Sequence, residues 1–170
     1  ISWPRIFPEG TGKPNQKGLD FYSRLVDELK TAGIEPFATL YHWDLPQTLQ
    51  DKYGGWQSPE TAKAFGEYSG LVAKMLSDRV RYFFTINEFK QVTETAYRGV
   101  ELHVQGKTVR LMSAPGILLE DGPLNQVRHN ALLGHGLAMQ AIRAMARPGT
   151  KAGPAENMPH AIPVIDSPEH

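Results

Sequence analysis

Short apolar runs alternate along this chain with longer segments in which apolar residues recur every three or four positions. The strand-like runs cover residues 1–6, 36–41, 80–86 and 151–155. Because strand and helix alternate, this order favours βα units whose strands lie parallel in one sheet. No linker or change of composition interrupts the alternation. We therefore predict one α/β segment over residues 1–170, with no domain boundary inside it.

The segments between the strands indicate four helices, a hairpin and several loops. A serine followed by a proline at Ser58 and Pro59 is a strong helix start. Alternation on both sides of Gln105 and Gly106 predicts a β-hairpin. The predicted helices are residues 18–31, 59–78, 90–97 and 124–145, the hairpin is residues 100–111, and the loops are residues 7–14, 45–57, 113–122 and 158–170.

Polar and aromatic side chains follow two of the predicted strands where each strand ends. His42 and Trp43 come after the second strand, and Asn87 and Glu88 come after the third. In a barrel of parallel strands, the carboxyl ends of the strands carry the catalytic groups. The same residues also suit a loop or the cap of the next helix, and short motifs match by chance. Their repetition at successive strand ends favours a functional site.

Two architectures fit the order of strands and helices. It is typical of part of a (β/α)₈ TIM barrel, and it also suits an open, doubly wound sheet. No glycine-rich phosphate loop follows any strand, which counts against a nucleotide-binding fold. A closed barrel takes about 250 residues, whereas this chain has 170. The barrel interpretation therefore makes the chain an incomplete portion of one.

The composition of the chain argues against several classes of function. The chain has 18 basic and 18 acidic residues, so its charge gives no reason to expect a nucleic acid or a membrane as a partner. It has no cysteine, no apolar run long enough to cross a bilayer and no visible signal peptide, so we expect a cytoplasmic protein.

His129 and His135 are interpreted as structural residues. No pair of histidines has metal-ligand spacing, so we expect neither a metal nor a cofactor.

Several segments taken together resemble glycoside hydrolase family 1, the β-glucosidase type. They are residues 1–8 (ISWPRIFP), 21–22 (FY), 33–36 (GIEP), 39–46 (TLYHWDLP) and 85–88 (TINE). Each segment is short, but their combination and order are specific, and the resemblance extends over nearly the whole chain. The resemblance implies that the chain holds strands two to five of a (β/α)₈ barrel, with residues 151–156 as strand five.

The resemblance also implies a retaining β-glycosidase that uses two carboxylates. Glu88 matches the general acid/base, which protonates the glycosidic oxygen and then activates water. Asn87 matches the residue that hydrogen-bonds the 2-hydroxyl of the sugar. His42 and Trp43 match residues that line the site of the non-reducing sugar. The expected substrate is a β-glucoside or a related oligosaccharide with a terminal β-linked sugar.

Two further matches and two departures concern the surroundings of this site. Arg5 matches the arginine beside the nucleophile, where a fixed positive charge would keep that carboxylate ionised. Asn157 matches a polar residue beyond strand five, near the leaving group. The family usually has proline after the acid/base glutamate, whereas this chain has Phe89. The hairpin at residues 100–111 looks longer than usual and is expected to reshape the aglycone side of the cleft.

The second catalytic carboxylate has no match in this chain. In the family, the nucleophile lies in a Thr-Glu-Asn-Gly type of segment on strand seven, and no such segment occurs here. We therefore expect the remainder of the barrel as a partner, either in the same polypeptide or in a complementary chain. The alternatives are a catalytically inactive sugar-binding barrel, an isolated inactive fragment, and a sugar-phosphate hydrolase of the same fold, which would need basic groups in later loops.

Overall fold

The computed structural model describes residues 1–157, and within them it contains six α-helices and five strands. In chain order these are α1 (Trp3–Ile6), α2 (Gln16–Thr31), β1 (Phe37–Tyr41), α3 (Gln47–Tyr53), α4 (Pro59–Leu76), β2 (Tyr82–Asn87), α5 (Phe89–Tyr97), β3 (Val100–Val104), β4 (Lys107–Leu111), α6 (Asp121–Met145) and β5 (Lys151–Ala155). Among residues 1–157, no helix has both the length and the apolarity to cross a bilayer. The predicted loop at residues 158–170 lies outside the described part of the chain.

A parallel sheet of three strands organises the fold, in the order β1-β2-β5. Tyr41 of β1 pairs with Ile86 of β2, and Asn87 of β2 pairs with Ala155 of β5. Because the strands are parallel and nearly level, the residues that follow all three strands lie along one edge of the sheet. The predicted hairpin is confirmed, since β3 and β4 form a separate antiparallel pair.

Two long helices, α4 and α6, pack closely against each other beside the sheet. A Cβ added at Gly66 would lie 3.0 Å from the Cβ of Leu137, and one at Gly70 would lie 3.1 Å from the Cβ of Ala141. The two glycines therefore allow α6 to approach α4 closely.

The other face of the sheet presents aromatic rings that the described residues leave partly uncovered. Alternate residues of a strand point to opposite faces. Ala38 and Phe83 are buried, whereas Phe37 is 56% exposed. The Phe37 ring stacks on the ring of Tyr82, with centroids 4.5 Å apart, and its centroid lies 6.1 Å from that of Phe84. An aromatic row of this kind is typical of a sheet face that packs against further structure.

Trp3 lies at the centre of the aromatic core. Its side chain is fully buried and stacks on Tyr68, with ring centroids 5.3 Å apart and planes 9° from parallel. Its indole nitrogen donates a hydrogen bond to the carbonyl oxygen of Gly10 at 3.1 Å. Tyr68 donates its hydroxyl to the carbonyl oxygen of Leu40 at 2.9 Å, which ties α4 to β1. Packing and hydrogen bonding therefore join α1, α4 and β1 around one indole ring.

The prediction of a strand at residues 1–6 is wrong, because Trp3–Ile6 forms the short helix α1. The amide of Phe7 donates to the carbonyl oxygen of Trp3 at 2.8 Å, which closes a helical turn. Pro4 lies in the first turn, where a residue without an N–H group costs nothing. Ile1 lies beside the sheet, where its nitrogen donates to the carbonyl oxygen of Thr39 at 2.6 Å.

The prediction of a loop at residues 45–57 is also wrong, because this segment contains helix α3 and a 3₁₀ turn at Gly55–Gln57. Leu49 is 1% exposed and anchors α3 in the core. Gly54 ends the helix in the left-handed conformation, with φ of 73°.

Candidate active site

The carboxyl ends of β1, β2 and β5 bring together most of the side chains that the sequence singles out. His42 and Trp43 follow β1, Asn87 ends β2, and Glu88 comes directly after it. The indole nitrogen of Trp43 donates to the carbonyl oxygen of Asn87 at 2.9 Å. The side-chain nitrogen of Asn87 lies 3.4 Å from Nε2 of His42. These contacts hold the ends of β1 and β2 together on one side of the sheet.

The exposure of these side chains suits a site that receives a ligand. His42 is exposed, while Trp43, Asn87 and Glu88 are half-buried. Trp43 has a left-handed backbone, with φ of 73°. Few residues other than glycine adopt this region, and such strain is found mostly at functional sites. The hydrogen bond to the carbonyl oxygen of Asn87 holds the indole ring, while part of the ring remains exposed.

Glu88 has an unusual backbone that is held on both sides. It occupies the cap position before α5 with φ of 49° and ψ of 61°, which is left-handed. Its amide donates to the carbonyl oxygen of Ala155 in β5 at 2.7 Å, and its carbonyl oxygen accepts from Val92 in α5 at 2.9 Å. Its side chain makes no capping bond to the helix. The backbone is therefore fixed while the carboxylate stays available.

The structure does not bring Arg5 to this cluster. Arg5 belongs to the helical turn α1, and its guanidinium carbon lies 4.6 Å from the ring centroid of Phe21 in α2. The ring of Tyr22 lies 5.7 Å from the same carbon. This is the geometry of a cation–π contact between two helices. Asn157 follows β5 at the correct edge of the sheet, and its side chain is exposed and makes no hydrogen bond to the four clustered residues in the described structure.

The comparisons with known proteins agree on one family. Residues 1–170 match the family described as Glycosyl hydrolase family 1. The chain belongs to this family. Beta-glucosidase A of Acetivibrio thermocellus is 47% identical over 169 residues, which are 99% of this chain and 35% of that relative. A bifunctional beta-D-glucosidase/beta-D-fucosidase of Bifidobacterium breve is 45% identical over 157 residues, which are 90% of this chain and 31% of that relative.

Solved structures of family 1 enzymes have the same fold as this chain. The beta-glucosidase from Thermotoga maritima in complex with deoxynojirimycin matches with a TM-score of 0.82 and 40% identity, covering 99% of this chain and 35% of that chain. These neighbours are TIM barrels, so the predicted α/β class and partial (β/α)₈ barrel are confirmed and the doubly wound sheet is excluded. The chain spans about a third of the length of the relatives that it matches.

One further residue at this edge was missed by the sequence analysis. Glu156 follows β5, and its Oε1 accepts a hydrogen bond from the amide of Phe89 at 2.9 Å. A carboxylate after a third strand end was visible in the sequence. Its partner was not, because the two residues are 67 positions apart and meet only through the pairing of β2 with β5.

A buried polar contact stabilises the irregular part of β2 that leads into the site. The β2–β5 register shifts between Phe84 and Asn87. Within this interval, Oγ1 of Thr85 lies 3.3 Å from the carbonyl oxygen of Gly153 and 2.8 Å from Nδ1 of His135 in α6. Because a carbonyl only accepts, the hydroxyl donates to Gly153, and neutral His135 donates from Nδ1 to Thr85. This contact gives His135 the structural role that the sequence indicated, whereas His129 is exposed.

The surroundings of His135 make the free energy of unfolding of the protein depend on pH. Burial lowers the pKa of His135 below its ordinary value of 6.5, and the positive charge of Arg143 lowers it further. The unfolded chain therefore binds this proton more readily than the folded chain does. The contribution of His135 to stability is full above about pH 6.5 and is lost as the pH falls through the lower, folded pKa.

We predict that His135→Asn makes the stability of the protein less sensitive to mild acid. The asparagine amide can still donate to Thr85, but it does not titrate, so the loss of stability between about pH 7.5 and pH 5.5 should shrink. Urea unfolding midpoints of both proteins at the two pH values measure the difference. An equal change of midpoint in the two proteins would contradict the role assigned to His135.

Proposed function

We propose that this chain forms the acid/base side of the active site of a retaining β-glycosidase, which cleaves terminal β-linked glucosyl or similar residues. The main support is the carboxylate of Glu88. It lies at the strand ends with His42, Trp43 and Asn87, it makes no capping bond, and it takes part in none of the ion pairs among residues 1–157.

In the first step, protonated Glu88 gives its proton to the glycosidic oxygen as the bond from that oxygen to the anomeric carbon breaks. A carboxylate outside this chain attacks the anomeric carbon, and the aglycone leaves as a neutral alcohol. In the second step, ionised Glu88 takes a proton from water while the water oxygen attacks the anomeric carbon. The bond to the nucleophile breaks, and Glu88 is again protonated.

The residues around Glu88 bind and orient the sugar in this proposal. Asn87 hydrogen-bonds the 2-hydroxyl, a contact that becomes stronger in the transition state. His42 supplies a ring nitrogen for a further hydroxyl, and the indole face of Trp43 packs against the apolar face of the pyranose. Asn157 contacts the leaving group. Arg5, whose guanidinium packs on Phe21 in the described structure, is proposed to support the nucleophile, which lies outside this chain.

We further propose that the remaining barrel strands, in the same polypeptide or in another chain, complete the site. The aromatic row that begins at Phe37, which is 56% exposed, is the interior face of the barrel in this proposal. The further strands would bury that face and bring the nucleophile. The length of the relatives supports this arrangement, since the chain covers 35% of Beta-glucosidase A of Acetivibrio thermocellus.

We predict that the isolated chain hydrolyses no aryl β-glucoside above the uncatalysed rate, because it holds one of the two carboxylates that the mechanism needs. Activity should appear when a fragment with the remaining strands is added. Release of nitrophenol from an aryl β-glucoside, followed with each fragment alone and with the mixture, measures this. Turnover by the purified chain alone would show that the nucleophile is not missing.

We predict that Glu88→Gln in the complete barrel lowers kcat/KM for an alkyl β-glucoside by about 10²–10⁴-fold. An alkoxide leaves poorly and needs the proton, whereas a dinitrophenolate leaves without it. The loss on a dinitrophenyl β-glucoside should therefore be much smaller. Steady-state rates on the two substrates measure the contrast.

Glu67→Gln is a matched control for this variant, because Glu67 is an exposed glutamate of α4 and the substitution has the same size. Its rates on both substrates should equal those of the parent protein. Unchanged rates in Glu88→Gln would show that Glu88 is not the proton donor. If the complete barrel binds a glucoside but hydrolyses neither substrate, the alternative of an inactive sugar-binding barrel is correct.

A further inference from the structure

We propose that Glu156 is a positioning residue that holds Glu88 in the conformation needed for proton transfer. This inference rests on the proposed function of Glu88. It concerns a contact between the end of β5 and the start of α5, where Oε1 of Glu156 accepts a hydrogen bond from the amide of Phe89 at 2.9 Å. Glu156 does not contact the reacting atoms, and it acts through the backbone of Glu88.

The contact matters because it fixes one of the two peptide planes that flank Glu88. The amide of Glu88 belongs to the plane before its Cα atom, and the amide of Phe89 belongs to the plane after it. The first amide donates to the carbonyl oxygen of Ala155 at 2.7 Å, and the second donates to Glu156. The orientation of the first plane determines φ of Glu88, and that of the second determines ψ. Ala155, the last residue of β5, and Glu156, which follows it, therefore help to set both backbone angles.

Glu88 needs this support because its conformation is costly. Its φ of 49° and ψ of 61° lie in the left-handed region, which side chains other than glycine disfavour. Such a conformation persists only where the surrounding structure holds it in place. The bond from Val92 to the carbonyl oxygen of Glu88 also holds the plane after Glu88. Without the bond from Phe89 to Glu156, that plane keeps only this one hydrogen bond, and we expect the Glu88 carboxylate to be held less firmly.

Glu156 also places an anion at the start of α5. The first amides of a helix lack partners within the helix, and they attract an acceptor, best an anion. Phe89 is the first residue of α5, and its amide donates to Glu156. The side chain of Glu88 makes no capping bond to the helix. The start of α5 therefore has a carboxylate partner other than the proposed acid/base group.

The contact depends on Phe89, because only a residue with an amide hydrogen can donate to Glu156. Proline has no such hydrogen, and it is tolerated at the first position of a helix. Phe89→Pro therefore removes the donor, while Glu156→Ala removes the acceptor. Combining the two variants tests whether Glu156 acts through this hydrogen bond or through another effect of its charge.

The test uses the complete barrel and the alkyl and dinitrophenyl β-glucosides. We expect Glu156→Ala to lower kcat/KM for the alkyl glucoside by roughly ten- to a hundredfold, since small misplacements of a catalytic group have effects of this size. The loss on the dinitrophenyl glucoside should be much smaller. Glu156→Gln, which keeps an acceptor oxygen, should restore most of the rate, and Glu67→Ala is the control. In the Phe89→Pro background, Glu156→Ala should have no further effect.

Three results would overturn the inference: equal losses on the two substrates, no loss on the alkyl glucoside, or a full additional loss in the Phe89→Pro background. Glu88→Gln is measured in parallel to separate the two proposals. If Glu88→Gln shows the dependence on the leaving group and Glu156→Ala does not, the positioning role alone is wrong. If Glu88→Gln shows no such dependence, the proposed function fails and the positioning role fails with it.

Discussion

The geometry of the candidate site depends on the parallel pairing of β2 with β1 on one side and β5 on the other. This pairing sets three strand ends level, so that residues far apart in the sequence become neighbours. It also provides the acceptors that hold the chain as it leaves β2 through a left-handed residue, Glu88. A sheet with the strands in another order would separate Glu88 from both His42 and Glu156. The proposed catalytic role of Glu88 therefore depends on the register of the strand pairing as well as on the type of residue.

Some polar groups near the β2–β5 pairing stabilise the backbone, whereas others remain available to bind a ligand. Thr85 and His135 satisfy each other where the β2–β5 register shifts, and Glu156 accepts from the first amide of α5. These side chains supply hydrogen-bond partners to backbone groups where the β2–β5 pairing is irregular and where α5 begins. Glu88 directly precedes α5, yet its side chain makes no capping bond to the helix. Its carboxylate therefore remains available for chemistry.

The sequence predicted the parts of the fold that local pattern determines. The apolar runs of β1, β2 and β5, the spacing in α2, α4 and α6, and the alternation of β3 and β4 each depend on a few consecutive residues. The cluster of His42, Trp43 and Asn87 followed from the rule that parallel strands end at one edge. Chain order alone was enough to place these side chains together.

The predictions from sequence were wrong or incomplete where contacts between residues distant in the sequence determine the structure. Residues 1–6 read as a strand, but Trp3 is buried among rings from α4 and β1, and Pro4 suits a helical turn. The contact of Arg5 with Phe21 was not predicted, because it depends on the packing of α1 against α2. Glu156 was overlooked because its significance lies in a contact across 67 positions.

The most direct test of the account is a crystal structure of the complete barrel with a β-thioglucoside, which binds like a substrate but resists cleavage. The account predicts that an oxygen of Glu88 lies about 2.6–3.4 Å from the bridging sulfur. It also predicts that His42, Trp43 and Asn87 contact the sugar. A sugar bound elsewhere, or a Glu88 carboxylate turned onto the start of α5 and away from the sulfur, would contradict it.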